Sequence, residues 1–292
     1  MASSAPAPSW RLPLQIAILL LAGFFIYAPV LHGEWLWDDG ATLRDNPLMH
    51  DPGALAKIWF APPGPDYFPL TTSVEWLLWQ IFGDHTFPFH LACLLLHLAS
   101  AFLLWRVFGK LGLRFAWWGA LLFVVHPVLV ESVAWVSELK NTLSLPFLLG
   151  AILAWLNYDE RARPADFAAA LLLFLAALLA KTSVVMFPFV LLLYTWWKHG
   201  HISRQKLVAL APFFAASFVL GLLTLVFQRQ WAIGETPQDF GTLAQRGAGA
   251  GHALLFYFGK SLWPFGLRPI YPLWSFQNPS FAQFLPWLLL AA

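Results

Sequence analysis

Long apolar runs recur along this sequence from end to end, at residues 12–31, 87–106, 115–131, 141–157, 165–181, 183–197 and 207–227, with an eighth beginning near 281. A helix needs about 20 consecutive apolar residues to cross a bilayer core. Several of these runs are shorter, and neighbouring apolar residues such as Val133 to Val136 extend some of them. Composition agrees, since charged residues make up 11% of the chain and apolar residues 59%, where a soluble domain carries about 25% charged residues. The sequence therefore predicts an all-α polytopic membrane protein, read as a single transmembrane domain over 1–292.

The ends and the sparse residue types narrow this further. Met1 to Trp10 form a small polar tail, and the run that Arg11 opens is too long for a signal-peptide core and lacks a small-x-small cleavage site, so it reads as a retained helix. Cys93 is the sole cysteine, which excludes an intramolecular disulfide. No Cys or His grouping has the spacing of a structural zinc site. The last apolar segment, Pro286–Ala292, stops without a polar anchor, which suggests a fragment truncated in its last helix.

Orientation follows from the basic residues. A cytoplasmic N-terminus puts Arg11, Arg106, Lys110, Arg114, Arg161, Arg163, Lys198, Arg204 and Lys206 on the inside, nine of the 17 and all in short connections. Acidic residues mirror them. The first outer loop, 32–86, holds Glu34, Asp38, Asp39, Asp45, Asp51, Asp66, Glu75 and Asp84, eight of the 15, and is too long for a plain connector. Within it Leu70, Val74, Leu77, Leu78 and Ile81 recur at helical spacing over Pro69–Phe82, predicting an amphipathic helix on the membrane surface. The second outer loop, 228–280, contains Gly251–Trp263, which is short, interrupted by Gly259 and Lys260 and closed by Pro264, and so reads as an interfacial or re-entrant helix. Two elaborated loops on one face mark that face for chemistry.

Three constellations there carry ionisable groups. Asp38 and Asp39 are adjacent carboxylates just beyond the first helix, suited to general-base work at a low-dielectric boundary, or simply a solvated turn before Gly40. His126, Glu131, Glu138, Lys140 and Asn141 follow at the outer ends of the third and fourth helices; Glu131 and Glu138 share a face if the helix runs on, or one of them merely pairs with Lys140. Lys181 and Lys260 sit at apolar boundaries, where an ammonium suits an anionic headgroup or phosphate or snorkels. His90 and His97, seven apart on the second helix, read more simply as hydrogen-bonded packing residues. Charges gather at helix ends and in loops. A transporter places them mid-membrane on broken helices, so an enzyme joining a lipid-phosphate-activated donor to an acceptor fits better, with a bare membrane anchor or scaffold as the main rival.

Trp37-Asp38-Asp39, Tyr67-Phe68-Pro69-Leu70-Thr71, Phe89-His90-Leu91 with His97, and the run His126 to Trp135 together resemble bacterial membrane proteins with C-terminal tetratricopeptide repeats. Lys140-Asn141, Lys181-Thr182, Gly259 to Pro264 and Ile270-Tyr271-Pro272 extend the likeness over roughly 35–275. These proteins are relatives of the animal transmembrane-and-tetratricopeptide-repeat O-mannosyltransferases, and both resemble the GT-C superfamily of lipid-linked-sugar glycosyltransferases. The resemblance implies a GT-C-like helical bundle in the bacterial inner membrane, with long periplasmic loops carrying interfacial helices. It implies inverting transfer on the periplasmic face from a polyprenyl-phosphate sugar to a protein Ser or Thr hydroxyl, with Asp38 as base and Asp39 as its substitute or an acceptor-orienting partner. Lys181, Lys260 and Lys140 are the candidate cations for the lipid phosphate, with His126, Glu131, Glu138, Asn141 and His90 shaping the site. Membrane lipids are expected partners and nucleic acid is not; no metal and no cofactor beyond the lipid-phosphate-linked sugar, itself a substrate, is expected. The chain departs from the family at Leu139, where a basic residue is expected, and in lacking the repeat domain.

Overall fold

The computed structural model describes residues 10–62, 64–233 and 241–291. All regular structure among them is helical, and the protein is an all-α polytopic membrane protein. The chain falls into two compact units, residues 1–125 with 132–232, and residues 126–131 with 233–292.

The larger unit opens with α1 (Arg11–Tyr27) and passes through two short helices, α2 (Pro47–His50) and α3 (Leu55–Phe60), to α4 (Pro69–Phe82). Next come α5 (Thr86–Lys110) and α6 (Ala116–Val125). The chain then turns through a single-turn α7 (Val130–Ala134) into α8 (Leu139–Arg161), α9 (Pro164–Ala180), α10 (Phe187–His199) and α11 (Arg204–Gln228). Most of the predicted spans fall on one α-helix each, but 115–131 is broken after Val125 into two helical pieces bent by 54°, and 183–197 begins in a short 3-10 turn before α10. Three of those helices, α5, α8 with its lead-in from Val136, and α11 extended to Trp231, are long and apolar enough to cross a membrane, and the broken pair 116–125 and 127–134 adds a fourth if counted as one span. Prolines set several boundaries: Pro164 and Pro188 lie in the first turns of α9 and α10, where a missing N–H costs nothing, and Pro127 follows the end of α6.

Two apolar clusters build the body of this unit. One gathers Trp155, Phe174, Phe187, Leu210 and Phe213 from α8 to α11, with Ala151, Ala154 and Ala170 allowing close backbone approach. The other joins Tyr27, Leu94, Leu98 and Val124 from α1, α5 and α6. A third cluster belongs to the first loop itself: Leu43, Met49, Ile58 and Trp79 pack on Phe89 and Val136. The long loop therefore has a core of its own, seated on the first turn of α5 and the approach to α8.

Helix α4 has the predicted boundaries, but its faces are divided unexpectedly. Thr71, Glu75 and Trp79, spaced by four, are buried, while Leu77 and Ile81 are more than half exposed. Leu70, Val74 and Leu78 pack inward beside this stripe, while Leu77 and Ile81 face outward, as suits a helix lying against lipid.

In the smaller unit α12 spans Leu243–Leu262, twenty residues rather than the thirteen or so read from sequence, and runs through Gly259 and Lys260 without a break. Its start is fixed by a capping box in which Thr242 and Gln245 bond reciprocally to each other's backbone N–H. α13 (Leu285–Ala291) packs beside it, with Trp287 donating to the Gly247 carbonyl at 2.9 Å. A Cβ on Gly251 would lie 2.7 Å from the Trp287 ring, so only glycine permits this approach.

Candidate active site in the first loop

The loop beyond α1 is organised by one carboxylate. Asp39 is fully buried and accepts from the Leu36 N–H at 2.9 Å, the Ser137 N–H at 2.7 Å and the Ser137 hydroxyl at 2.5 Å. The Thr42 hydroxyl lies 2.8 Å from that of Ser137. These bonds tie the turn Gly40–Arg44 to the approach of α8, nearly a hundred residues further along the chain. Asp38 is the opposite case. Its side chain is exposed and makes no hydrogen bond or ion pair among the described residues. Beside it Trp37 holds a left-handed backbone, φ 42°, and sets its ring edge-on to Trp135 at 5.1 Å.

Next to this junction lies a cavity of about 260 Å³, bordered by Thr42, Asn46, Asp66, Thr71, Thr72, Glu75, Ser137 and Lys140. Glu75 supplies its buried carboxyl group. Burial pushes the Glu75 pKa up to about 8; the Lys140 charge opposes the shift and Asp39 reinforces it. At neutral pH Glu75 is therefore mainly protonated and able to donate a hydrogen bond into the cavity. The sequence reading counted Glu75 among the loop acids without singling it out. The available signal was its place four residues after Thr71 and four before Trp79 on one helix.

Lys140 borders the cavity from the first turn of α8 and belongs to a polar network. Its Nζ lies 3.2 Å from Glu138 Oε1. Lys181 Nζ, at the end of α9, lies 3.5 Å from Glu138 Oε2 and donates to Asn141 Oδ1 at 2.5 Å. Asn141 in turn donates to Glu138 and reaches the Ser132 hydroxyl at 3.4 Å. Lys181, Glu138, Lys140 and Asn141 thus come together as a group, two cations around one carboxylate at the edge of a polar cavity.

Other predicted residues lie apart. The helix does not run on from Glu131 to Glu138: α7 ends at Ala134 and Trp135 is extended, φ −103° and ψ 117°, so the two glutamates share no helical face. Glu131 is exposed. In the smaller unit His126 Nε2 sits 3.0 Å from the Ser261 carbonyl oxygen, and Lys260 donates to the Phe265 carbonyl at 2.5 Å while its ammonium lies over the Phe256 and Tyr271 rings. His90 is buried on α5 against the backbone of Gly33 and Glu34. His97 packs between Tyr27 and Phe123, with Nε2 3.4 Å from the Val124 carbonyl oxygen, the packing role its setting predicted.

A larger cavity, about 690 Å³, opens at the far ends of α5 and α8. Among the described residues no carboxylate borders it.

A family model for dolichyl-phosphate-mannose-protein mannosyltransferases matches residues 64–227, more than half of the chain. That range takes in Glu75, Ser137, Glu138, Lys140, Asn141 and Lys181. A protein O-mannosyl-transferase of Caenorhabditis elegans is 24% identical over 165 residues, which is 50% of this chain and 23% of that protein, so the match spans about a quarter of the relative's length. No solved structure matches the chain.

Proposed function

The chain belongs to the dolichyl-phosphate-mannose-protein mannosyltransferase family, and on that premise we propose that it moves a sugar from a polyprenyl-phosphate donor to a Ser or Thr hydroxyl of a protein, with inversion at the anomeric carbon. The observation that carries this reading is the first-loop cavity, where the protonated carboxyl of Glu75 on α4 and the ammonium of Lys140 at the start of α8 border one space.

Asp38 is the base. Its carboxylate is unengaged and takes the proton of the acceptor hydroxyl as that oxygen attacks the anomeric carbon. The bond from that carbon to the phosphate oxygen breaks on the opposite side, and the polyprenyl phosphate leaves with the electron pair. Lys140 offsets the charge growing on the phosphate, held in place by Glu138 and backed by Lys181. Asp39 is a positioning residue: with both oxygens committed to Ser137 and Leu36, it fixes the turn that presents Asp38. The distribution of basic residues supports a site on the non-cytoplasmic face, since Arg106, Lys110, Arg161, Lys198 and Lys206 lie at the opposite helix ends.

The test is transfer of radiolabelled sugar from polyprenyl-phosphate donors to Ser/Thr peptides. Asp38→Asn is expected to lower turnover by roughly 10²–10⁴-fold, the usual contribution of a positioned base, with donor binding and thermal stability retained. Asp39→Asn is expected to lower stability as well as turnover. Undiminished transfer by Asp38→Asn would remove it as the base.

A further inference from the structure

The 690 Å³ cavity lies at the far end of α8 from the transfer site, bordered by Arg106, Gly109 and Lys110 of α5 and Arg161 of α8, with Leu12 and Ile16 of α1 along one wall. The first turn of α5 belongs to the loop core and its last turn to this cavity, a separation of about 37 Å for a helix of 25 residues.

Charge is in excess here. Lys110 is paired with Glu160 at 2.5 Å. Neither Arg106 nor Arg161 makes an ion pair within 4 Å among the described residues. Two guanidiniums without such partners therefore border a space within the range of ligand pockets, about 300–1,000 Å³. Basic residues at helix C-termini offset the macrodipole, and that accounts for the charges but not for the cavity they enclose.

Apart from Asn157, the remaining wall is apolar: Leu12, Ile16, Phe102 and Leu153 come from the predicted apolar runs. Trp105, next to Arg106 on α5, also lines the cavity, a residue type common at the headgroup boundary. A soluble anion has no use for such a wall. A phosphate headgroup with an attached acyl chain matches both halves, since guanidinium forks bind phosphate oxygens bidentately and basic pockets between membrane helices suit anionic lipid headgroups. We propose that this cavity is a binding site for an anionic phospholipid, its phosphate held by Arg106 and Arg161 and its acyl chain laid along Leu12, Ile16, Phe102 and Leu153.

The structure supplies a steric probe as well as a charge probe. A Cβ on Gly109 meets no atom within 4 Å, so Gly109→Leu places a side chain in the cavity without removing a charge and improves helix propensity. The full chain, purified and delipidated, is incubated with phosphatidylglycerol or phosphatidylcholine and examined by native mass spectrometry. Wild type is expected to retain phosphatidylglycerol in preference to phosphatidylcholine. The double variant Arg106→Gln/Arg161→Gln retains roughly thirty-fold less, about fivefold per basic residue at a membrane surface. Gly109→Leu loses the lipid with both arginines intact and, if the double variant does not fold, decides the matter alone. Equal retention of the two lipids by wild type, or unchanged retention by Gly109→Leu, would overturn the proposal. Displacement of the lipid by millimolar inorganic phosphate would overturn it in favour of a free-phosphate site. None of the three positions belongs to the transfer site, so the result stands apart from whether transfer is observed.

Discussion

Helix α8 carries a carboxylate between two lysines at each of its ends, and the two clusters serve different purposes. At its end Asp159, with a side chain 1% exposed, is bonded by Lys206 at 2.5 Å and Lys198 at 2.9 Å. His199 Nε2 lies 3.2 Å away and the Tyr194 hydroxyl 3.3 Å. Lys206 also lies over the Trp155 and Tyr158 rings. Every participant faces another, and the cluster ties α8 to α10 and α11. At its start Glu138 is 14% exposed and its lysines stand off at 3.2 and 3.5 Å, with Lys140 also bordering the first-loop cavity. The residue types are nearly the same. Saturation and adjacent space separate a structural tie from a working group, and neither is visible in composition or spacing.

The largest expected contrast comes from deleting one charge at each end. Asp159→Asn strands two lysines, and because these are a quarter to a third exposed the cost is at the low end for a broken buried pair, about 3 kcal/mol. Transfer per folded molecule should be unchanged. Lys140→Gln should do the reverse, lowering transfer roughly tenfold, the effect of about 1.4 kcal/mol on the transition state, with little loss of stability. Thermal unfolding and single-turnover transfer on the same preparations separate the two. A Lys140→Gln protein that unfolds readily yet transfers normally would make both ends structural.

Glu75 sharpens the comparison, because a cavity that holds a carboxyl group against its solvation preference carries a stability penalty. Burial raises the folded-state pKa from 4.5 to about 8. The sign follows: the folded state binds the extra proton, so stability is complete below about pH 4.5, declines as pH rises toward 8 and is level above it. Glu75→Gln removes that decline and should be more stable than wild type at pH 7 by on the order of 3 kcal/mol. Unfolding midpoints of the two proteins, measured from pH 5 to pH 8.5, should diverge as pH rises. Parallel curves would show that Glu75 is solvated and ionised.

Much of this arrangement was legible in the sequence because helix periodicity and proline positions are local. The amphipathic pattern gave both ends of α4, and every apolar run lies on helical structure, though the one at 115–131 is broken after Val125. The start of α12 was missed since Ala244, Gly247, Ala248 and Gly249 offer no apolar signal, and the helix is set instead by the Thr242–Gln245 capping box. The difference between Asp38 and Asp39 was beyond local reading: neighbours of equal chemistry are distinguished chiefly by Ser137, 98 residues away, which binds Asp39 through its N–H and its hydroxyl. Glu75 was missed for the same reason, its burial being a property of the loop core. Leu139, which departs from the basic residue expected there, is fully buried with Cys93, Leu143 and Ala180. A charge at that position would enter an apolar cluster, so leucine fits the packing and the cations of this site are those at 140 and 181.

The smallest expected change in overall efficiency, and the most diagnostic, is at Glu138. This carboxylate does two opposing things to Lys140 and Lys181. It orients them, and it cancels part of the positive charge they present. Glu138→Gln keeps a partner for Asn141 and leaves both lysines in place. Donor binding should tighten as the uncancelled charge attracts phosphate, lowering KM a few-fold, while looser orientation lowers kcat by about as much, so that kcat/KM moves less than about twofold. A role confined to stability would shift neither constant. A fall in kcat/KM as large as that of Lys140→Gln would place Glu138 in contact with the reacting groups, and the difference between the two ends of α8 would then lie in the carboxylate rather than in the lysine that borders the cavity.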